Sequence, residues 1–196
     1  FPEVAFDSVK FLSQVDMCVK KYGFCTIVAA EGIKNSDGVF LSEHSEAGDS
    51  FGHKQLGGVS AKLAALVKDN LGYKHHWALA DYLQRSARHI ASKVDVACAY
   101  NIGEQAVERA LSGKTGVMLT LNRFKSKSNK QAKWVIGEVA LNKVCNVEVN
   151  LPENYIDSTG FGITQECRDY LEPLIQGEAY PPYKDGLPEY GDFFIH

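Results

Sequence analysis

The feature that most constrains the fold is the alternation of helical periodicity with short apolar runs. Three stretches place apolar residues three and four positions apart, as one face of an α-helix does: residues 8–21, 59–70 and 94–113. Four short apolar runs are predicted strands: residues 24–32, 75–81, 115–121 and 134–141. Strands that alternate with helices predict an α/β fold, with a largely parallel sheet flanked by helices.

Helix ends and loops are also marked in the sequence. Asp7 or Ser8 can cap the first helix, and Gly72 and Gly113 can end the second and third. Residues 32–58 show little periodicity and predict a loop or insertion, with a short hairpin at 38–41. A shorter helix is predicted at 164–175, and the proline- and aromatic-rich segment after it predicts a wrapping tail.

Composition excludes several classes of protein. The formal net charge of -3 excludes the strong basic excess of a nonspecific nucleic-acid binder, so no nucleic-acid partner is expected. No apolar run approaches the roughly 20 residues that span a bilayer. The five cysteines form no CxxC pair, so reduced thiols and a cytoplasmic location are expected. The start at FPEVAFD, without Met, favours a cleavage product or other partial chain, and a removed leader is the alternative.

Polar residues follow two of the predicted strands. Glu31 ends the run 24–32, and ligands bind outside the carboxyl ends of parallel strands, where a carboxylate accepts hydrogen bonds from sugar hydroxyls. The alternative is an exposed acid at a strand end. Tyr82, Gln84 and Arg85 follow the run 75–81, and a guanidinium suits phosphate.

Other candidates are weaker. Arg88 and His89 lie within one turn of Arg85 and extend the predicted phosphate site, unless the whole cluster is a solvated polar turn. The glycine-rich loop 48–58 holds His53 and Lys54 and could cradle phosphate at a helix N-terminus, although the pattern favours a mobile surface loop. No Cys/His spacing predicts a zinc site.

Four segments in a fixed order resemble the phosphofructokinase family. They are FPEVAFD at 1–7, IVAAEG at 27–32, ADYLQR at 80–85 and DVACAYNIGEQAVERALSGKTGVM at 95–118. The resemblance covers nearly the whole chain and corresponds to the C-terminal half of such an enzyme. Tyr82 and the loop FGHKQLGG look more like the pyrophosphate-dependent branch than like the ATP-dependent one.

The resemblance implies roles for individual residues. The acid of the EG strand, here Glu31, binds hydroxyls of fructose 6-phosphate in that family. The motif that contacts the sugar phosphate falls on four consecutive residues: Tyr82, Leu83, Gln84 and Arg85. Asp81 replaces the expected Gly, which puts the local turn in question. His76 occupies the place of an Arg that reaches across a subunit interface in relatives, so it is a weak candidate.

The resemblance also implies what this chain lacks. The family's donor loop, catalytic aspartate and usual Mg²⁺ ligands lie upstream of PEVxFD, so no catalytic or metal-binding residue is expected here, and this chain alone is expected to be inactive. Three regions follow: a sugar-phosphate lobe at 1–88, a segment of the donor lobe at 89–145 and a C-terminal segment at 146–196.

Expected partners are fructose 6-phosphate, pyrophosphate and either the upstream half of the enzyme or further copies in a dimer or tetramer. The alternatives are an ATP-dependent enzyme, a noncatalytic phosphosugar-binding subunit of the same fold and an unrelated α/β module.

Overall fold

A computed structural model describes six stretches of the chain: residues 1–41, 43–48, 54–56, 58–80, 82–124 and 133–189. For residues 43–48, 54–56, 84, 85 and 133 it describes the backbone alone. The chain divides into two compact units. The first unit is Phe1–Asp81 with Asp157–Gly162, and the second unit is Tyr82–Ile156 with Ile163–His196.

The first unit contains two helices and a small sheet. Helix α1 is Ser8–Tyr22 and α2 is Val59–Leu71, so both predicted helices are confirmed. The Asp7 carboxylate accepts hydrogen bonds from the backbone N–H groups of Val9 at 2.9 Å and Lys10 at 3.0 Å, which confirms its predicted capping role. Gly72 ends α2 in the left-handed conformation, as predicted.

The core of the first unit lies between α1 and α2. Its buried side chains come from both helices and from the segment that follows the run 24–32: Phe11, Val15, Ile33, Val59, Leu63 and Val67. The rings of Phe6 and Phe11 lie 5.4 Å apart, and the hydroxyl of Tyr73 donates a hydrogen bond to Asp16 of α1 at 2.7 Å. Fully burying side chains of this size contributes about 1.5–3 kcal/mol each, so this cluster holds the two helices together.

The second unit is built around one long helix and a hairpin. Its elements are α3 (Leu83–Ser86), α4 (Lys93–Leu111), β3 (Val117–Phe124), β4 (Lys133–Ala140), α5 (Gln165–Leu171), β5 (Tyr183–Lys184) and β6 (Leu187–Pro188). Short 3₁₀ turns cover Leu141–Lys143, Glu153–Tyr155 and Glu172–Leu174. The hydroxyl of Ser92 caps α4 by accepting from the N–H of Asp95 at 3.0 Å. The third predicted helix is thereby confirmed, and α5 occupies the predicted helix at 164–175.

An ion triad joins α4 to β4. The Glu138 carboxylate lies 2.6 Å from Arg109 Nε and 2.7 Å from Lys114 Nζ. Lys114, followed by Arg109, lowers the pKa of Glu138, because both cations hydrogen-bond to its charged form.

The sheets differ from the prediction. Strand β1 (Glu43–Gly48) pairs antiparallel with β2 (Lys54–Leu56) inside the predicted loop, and β3 pairs antiparallel with β4 in an uninterrupted ladder from Val117↔Ala140 to Phe124↔Lys133. Among the described residues every paired strand is antiparallel. Only residues 125–132 join β3 to β4, which is too short for the crossover that a parallel pair needs.

The predicted buried strands at 24–32 and 75–81 are wrong for this chain by itself, since neither run forms a strand in its described residues. The apolar side chains of these runs also remain accessible, with Val28 96% and Trp77 55% exposed. A parallel strand needs a hydrogen-bonded neighbour, and the described residues do not supply one to either run. Apolar character suggested a strand in each run, but it does not specify the neighbour with which a strand must pair.

Candidate functional site

Glu31 lies half-buried in the first unit, close to the start of α2. Its Oε2 accepts a hydrogen bond from the backbone N–H of Val59, the first residue of the helix, at 3.3 Å. The N-cap residue, Gly58, has φ 87° and contributes no side-chain cap. The carboxylate of Glu31 therefore accepts from one of the N–H groups that have no partner within the helix.

Two of the motifs that carried the resemblance are neighbours in space. A Cβ on Gly32 would lie 3.5 Å from Cγ of Pro2, and the N–H of Phe6 donates to the carbonyl of Lys34 at 2.8 Å. The FPEVAFD segment thus runs beside the residues that follow Glu31. A Cβ on Gly32 would make an ordinary van der Waals contact with Pro2, so the two motifs pack closely at this point.

The 82–85 motif lies in the second unit, in a single helical turn. Tyr82 adopts helical dihedral angles, and its carbonyl accepts from both the N–H and the hydroxyl of Ser86 at 2.9 Å. The side chains of Tyr82 and Leu83 are 70% and 61% exposed. The side chains of Gln84 and Arg85 lie outside the described part of the chain, as does Asp81. Residues 82–86 thus form one helical turn, in which the side chains of Tyr82 and Leu83 are exposed.

The weaker candidates occupy varied environments. Nη1 of Arg88 donates a hydrogen bond to the carbonyl of Ala179, so this guanidinium holds the C-terminal tail against the second unit. His76 and His89 are exposed. His53 and the side chain of Lys54 lie outside the described residues.

A polar loop at 157–162 was missed in the sequence. Oδ1 of Asp157 accepts from the N–H and hydroxyl of Thr159, at 2.9 and 2.5 Å, and from the N–H of Gly162 at 3.3 Å. The Thr159 hydroxyl, with help from the backbone amides, lowers the pKa of Asp157. The loop belongs to the first unit, where Gly160 lies next to Val4. The spacing D-x-T-G-x-G is typical of an Asx turn and could have predicted it.

Metal binding finds no support in this part of the chain. Within the described ranges, no group of three or more His, Cys, Asp or Glu side chains could hold a metal ion. The described residues therefore do not supply a ligand set for Mg²⁺. The structure also contains, in the residues it describes, no helix that combines the length and apolar character needed to cross a bilayer.

Comparison with known proteins identifies close sequence relatives. The chain is 50% identical over 190 residues to the pyrophosphate–fructose 6-phosphate 1-phosphotransferase of Methylococcus capsulatus, covering 97% of this chain and 44% of that protein. It is 47% identical over 196 residues to the protein of the same name from Halomonas elongata, covering 100% of this chain and 46% of that protein. The chain thus spans less than half the length of these relatives. No protein-family profile matches it.

Comparison with solved structures points to the same family as the sequence relatives. The pyrophosphate-dependent phosphofructokinase of Nitrosospira multiformis superposes with a TM-score of 0.78 at 50% identity, covering 97% of this chain and 43% of that one. The enzyme of the same name from Marinobacter aquaeolei gives 0.76 at 47% identity, covering 96% and 43%. The fold is therefore a phosphofructokinase-like α/β fold. The resemblance of the sequence motifs to the phosphofructokinase family, and to its pyrophosphate-dependent branch, is confirmed over nearly the whole chain.

Proposed function

We propose that the protein containing this chain transfers a phosphoryl group from pyrophosphate to the 1-hydroxyl of fructose 6-phosphate, and that this chain supplies the sugar-phosphate side. The observation that carries the proposal is the 50% identity over 97% of the chain to an enzyme named for that reaction. The motif at Glu31 and the motif at 82–85 support it, because a carboxylate suits sugar hydroxyls and a guanidinium suits phosphate.

Glu31 is proposed to orient the sugar and not to act as the general base. Its Oε2 is engaged by the N–H of Val59, which suits a fixed acceptor better than a group that must take up a proton and release it. Glu31→Gln should weaken substrate binding and lower kcat moderately through misplacement of the reacting hydroxyl. Loss of all turnover in Glu31→Gln, with unchanged substrate affinity, would contradict this role.

Arg85 is proposed to bind the sugar phosphate, with Tyr82, Leu83 and Gln84 forming the same turn. In the full-length protein, Arg85→Ala should raise KM for fructose 6-phosphate by about tenfold or more, since a hydrogen bond to a charged group is worth about 1.5–3 kcal/mol. Arg85→Lys should recover part of the loss, because Lys lacks the bidentate fork. Arg168→Ala, which removes an exposed guanidinium from the same unit, is the matched control. An unchanged KM in folded Arg85→Ala would refute the assignment.

The phosphoryl donor is proposed to be pyrophosphate, with Mg²⁺ as the expected metal and its ligands in the upstream half of the enzyme. A coupled assay with pyrophosphate and with ATP separates the two branches of the family. Turnover with ATP and none with pyrophosphate would refute the donor assignment. Binding of fructose 6-phosphate without turnover in the full-length protein would favour the noncatalytic subunit instead.

The parallel sheet is proposed to form only in the whole protein. The exposure of Val28 and Trp77 supports it, because runs 24–32 and 75–81 would then find neighbours outside this chain. The resemblance is the basis for proposing regions at 1–88, 89–145 and 146–196. We also propose that the 21.6 kDa chain is inactive alone and that its partner is the rest of the enzyme or another copy. The five unpaired cysteines agree with a cytoplasmic location. Intact mass and activity measured on one sample test this: ordinary turnover by a single 21.6 kDa species would overturn it.

A further inference from the structure

The start of α2 lacks the local features that usually stabilise a helix N-terminus. Gly58 precedes the helix in the left-handed conformation and has no side chain, and the first turn contains no acidic residue. Such an end carries unpaired N–H groups and a partial positive charge, equivalent to about half an elementary charge. Glu31, 28 residues earlier in the chain, brings its carboxylate to this end and accepts from Val59.

Buried side chains hold the backbone in place near both partners of this hydrogen bond. Val59, the donor, is 1% exposed and is the most deeply buried large side chain among the described residues. Ile33, two positions after Glu31, is 6% exposed and packs in the same cluster with Leu63. Because close-packed cores resist displacement, neither the helix start nor the backbone near Glu31 can shift without repacking that cluster.

We propose that the N-terminus of α2 is the positioning element for Glu31, with Gly58 as the residue that aims it. The inference rests on the proposed role of Glu31 in holding the sugar. The Val59 N–H donates to Oε2 and so fixes the position of the carboxylate, whose oxygens can accept hydrogen bonds from hydroxyl groups. Gly58 matters because its φ of 87° is a conformation that L side chains rarely adopt.

This assignment gives the glycine-rich loop at 48–58 a different role from the phosphate cradle considered from its sequence. A carboxylate already lies at the helix end to which that loop leads, and a phosphate placed there would meet its negative charge. The last glycine of the loop acts on the sugar side of the reaction, by setting where the Glu31 carboxylate points.

The test is a double-mutant cycle in the full-length protein, with Gly58→Ala and Glu31→Gln alone and combined. Gly58→Ala should raise KM for fructose 6-phosphate by about fivefold or more, because the added Cβ strains the left-handed conformation. Gly58→Asn is the matched control and should stay within about twofold, since Asn tolerates that conformation. In the Glu31→Gln background, Gly58→Ala should add less than about twofold, because effects that pass through one residue are not additive.

A direct readout covers the case in which Gly58→Ala fails to fold. The Val59 amide resonance should shift in Glu31→Gln, a variant that keeps an acceptor oxygen, while the Leu63 amide on the same helix should stay in place. Additive effects on KM in the cycle, or an unmoved Val59 resonance, would overturn the inference and leave Glu31 as a sugar ligand. An unchanged KM in Glu31→Gln alone would instead refute the sugar role of Glu31, and the inference with it.

Discussion

Substituting Gly162 with Ala should dismantle the Asp157 loop. A Cβ at this position would overlap Oδ2 of Asp157 and lie 3.1 Å from its Cγ. The backbone of Gly162 does not have a positive φ, so the steric conflict is the only penalty of the substitution. Asp157 must rotate away, which removes the hydrogen bonds that it accepts from Thr159 and from Gly162 itself.

The loss of loop stability in Gly162→Ala can be estimated from those three hydrogen bonds. A bond to a charged group contributes about 1.5–3 kcal/mol when it is buried, but two of these three lie at the surface, where water replaces much of the loss. We therefore expect the substitution to lower the free energy of opening this loop by about 2 kcal/mol in total. Hydrogen exchange of the Thr159 amide should accelerate by about 30-fold at neutral pH, since about 1.4 kcal/mol corresponds to a factor of ten.

The same substitution has a pH signature. Because the folded loop lowers the pKa of Asp157, the loop gains stability above the unfolded pKa of about 3.9 and loses it as the pH falls through the lower folded value. The difference in exchange between Gly162→Ala and the unsubstituted protein should therefore shrink below about pH 4. Equal exchange rates at pH 7, or a full difference that persists at pH 2, would refute this account of the loop.

Three further predictions concern the helices and the core. Gly103→Ala should stabilise α4 by about 0.5–1 kcal/mol in thermal unfolding, because an added Cβ meets nothing within 4 Å and Ala favours helix; a lower Tm would contradict this. Glu138→Gln should lower Tm at pH 7 by releasing Arg109 and Lys114, and less so in acid, since the lowered pKa makes this stability fade as the pH falls below about 4.3. Phe11→Ala should destabilise the first unit by about 3–5 kcal/mol and Phe11→Leu by much less, as urea unfolding would measure.

The helices could be predicted from sequence because their determinants are local. Asp7 caps the helix that begins next to it, and Gly72 ends the helix that precedes it. The hairpin of β3 and β4 was recognised as two strands, but its antiparallel direction depends on the short connection and not on the apolar pattern. The prediction of strands at 24–32 and 75–81 was wrong because a strand requires a hydrogen-bonded neighbour, which apolar character does not specify.

In the candidate site, too, local sequence features could be recognised and contacts between distant residues could not. Glu31 became a candidate because it follows an apolar run within a motif. Its hydrogen-bond partner, Val59, is 28 residues away and has no polar side chain that could have marked it in the sequence. A backbone N–H has no sequence signature, so a contact of this kind appears only in three dimensions. Arg88 is a similar case: its charge made it a candidate ligand, but its hydrogen bond to the carbonyl of Ala179 could not be predicted from the sequence.

The return of residues 157–162 to the first unit has a consequence for synthesis on the ribosome. The first unit lacks the loop that lies beside Val4 until Gly162 has been added, well after residue 81. At about 5–20 residues per second, translation of residues 82–162 takes about 4–16 s. During that interval the nascent first unit is incomplete, and its N-terminal segment is open to chaperones that bind exposed apolar chain.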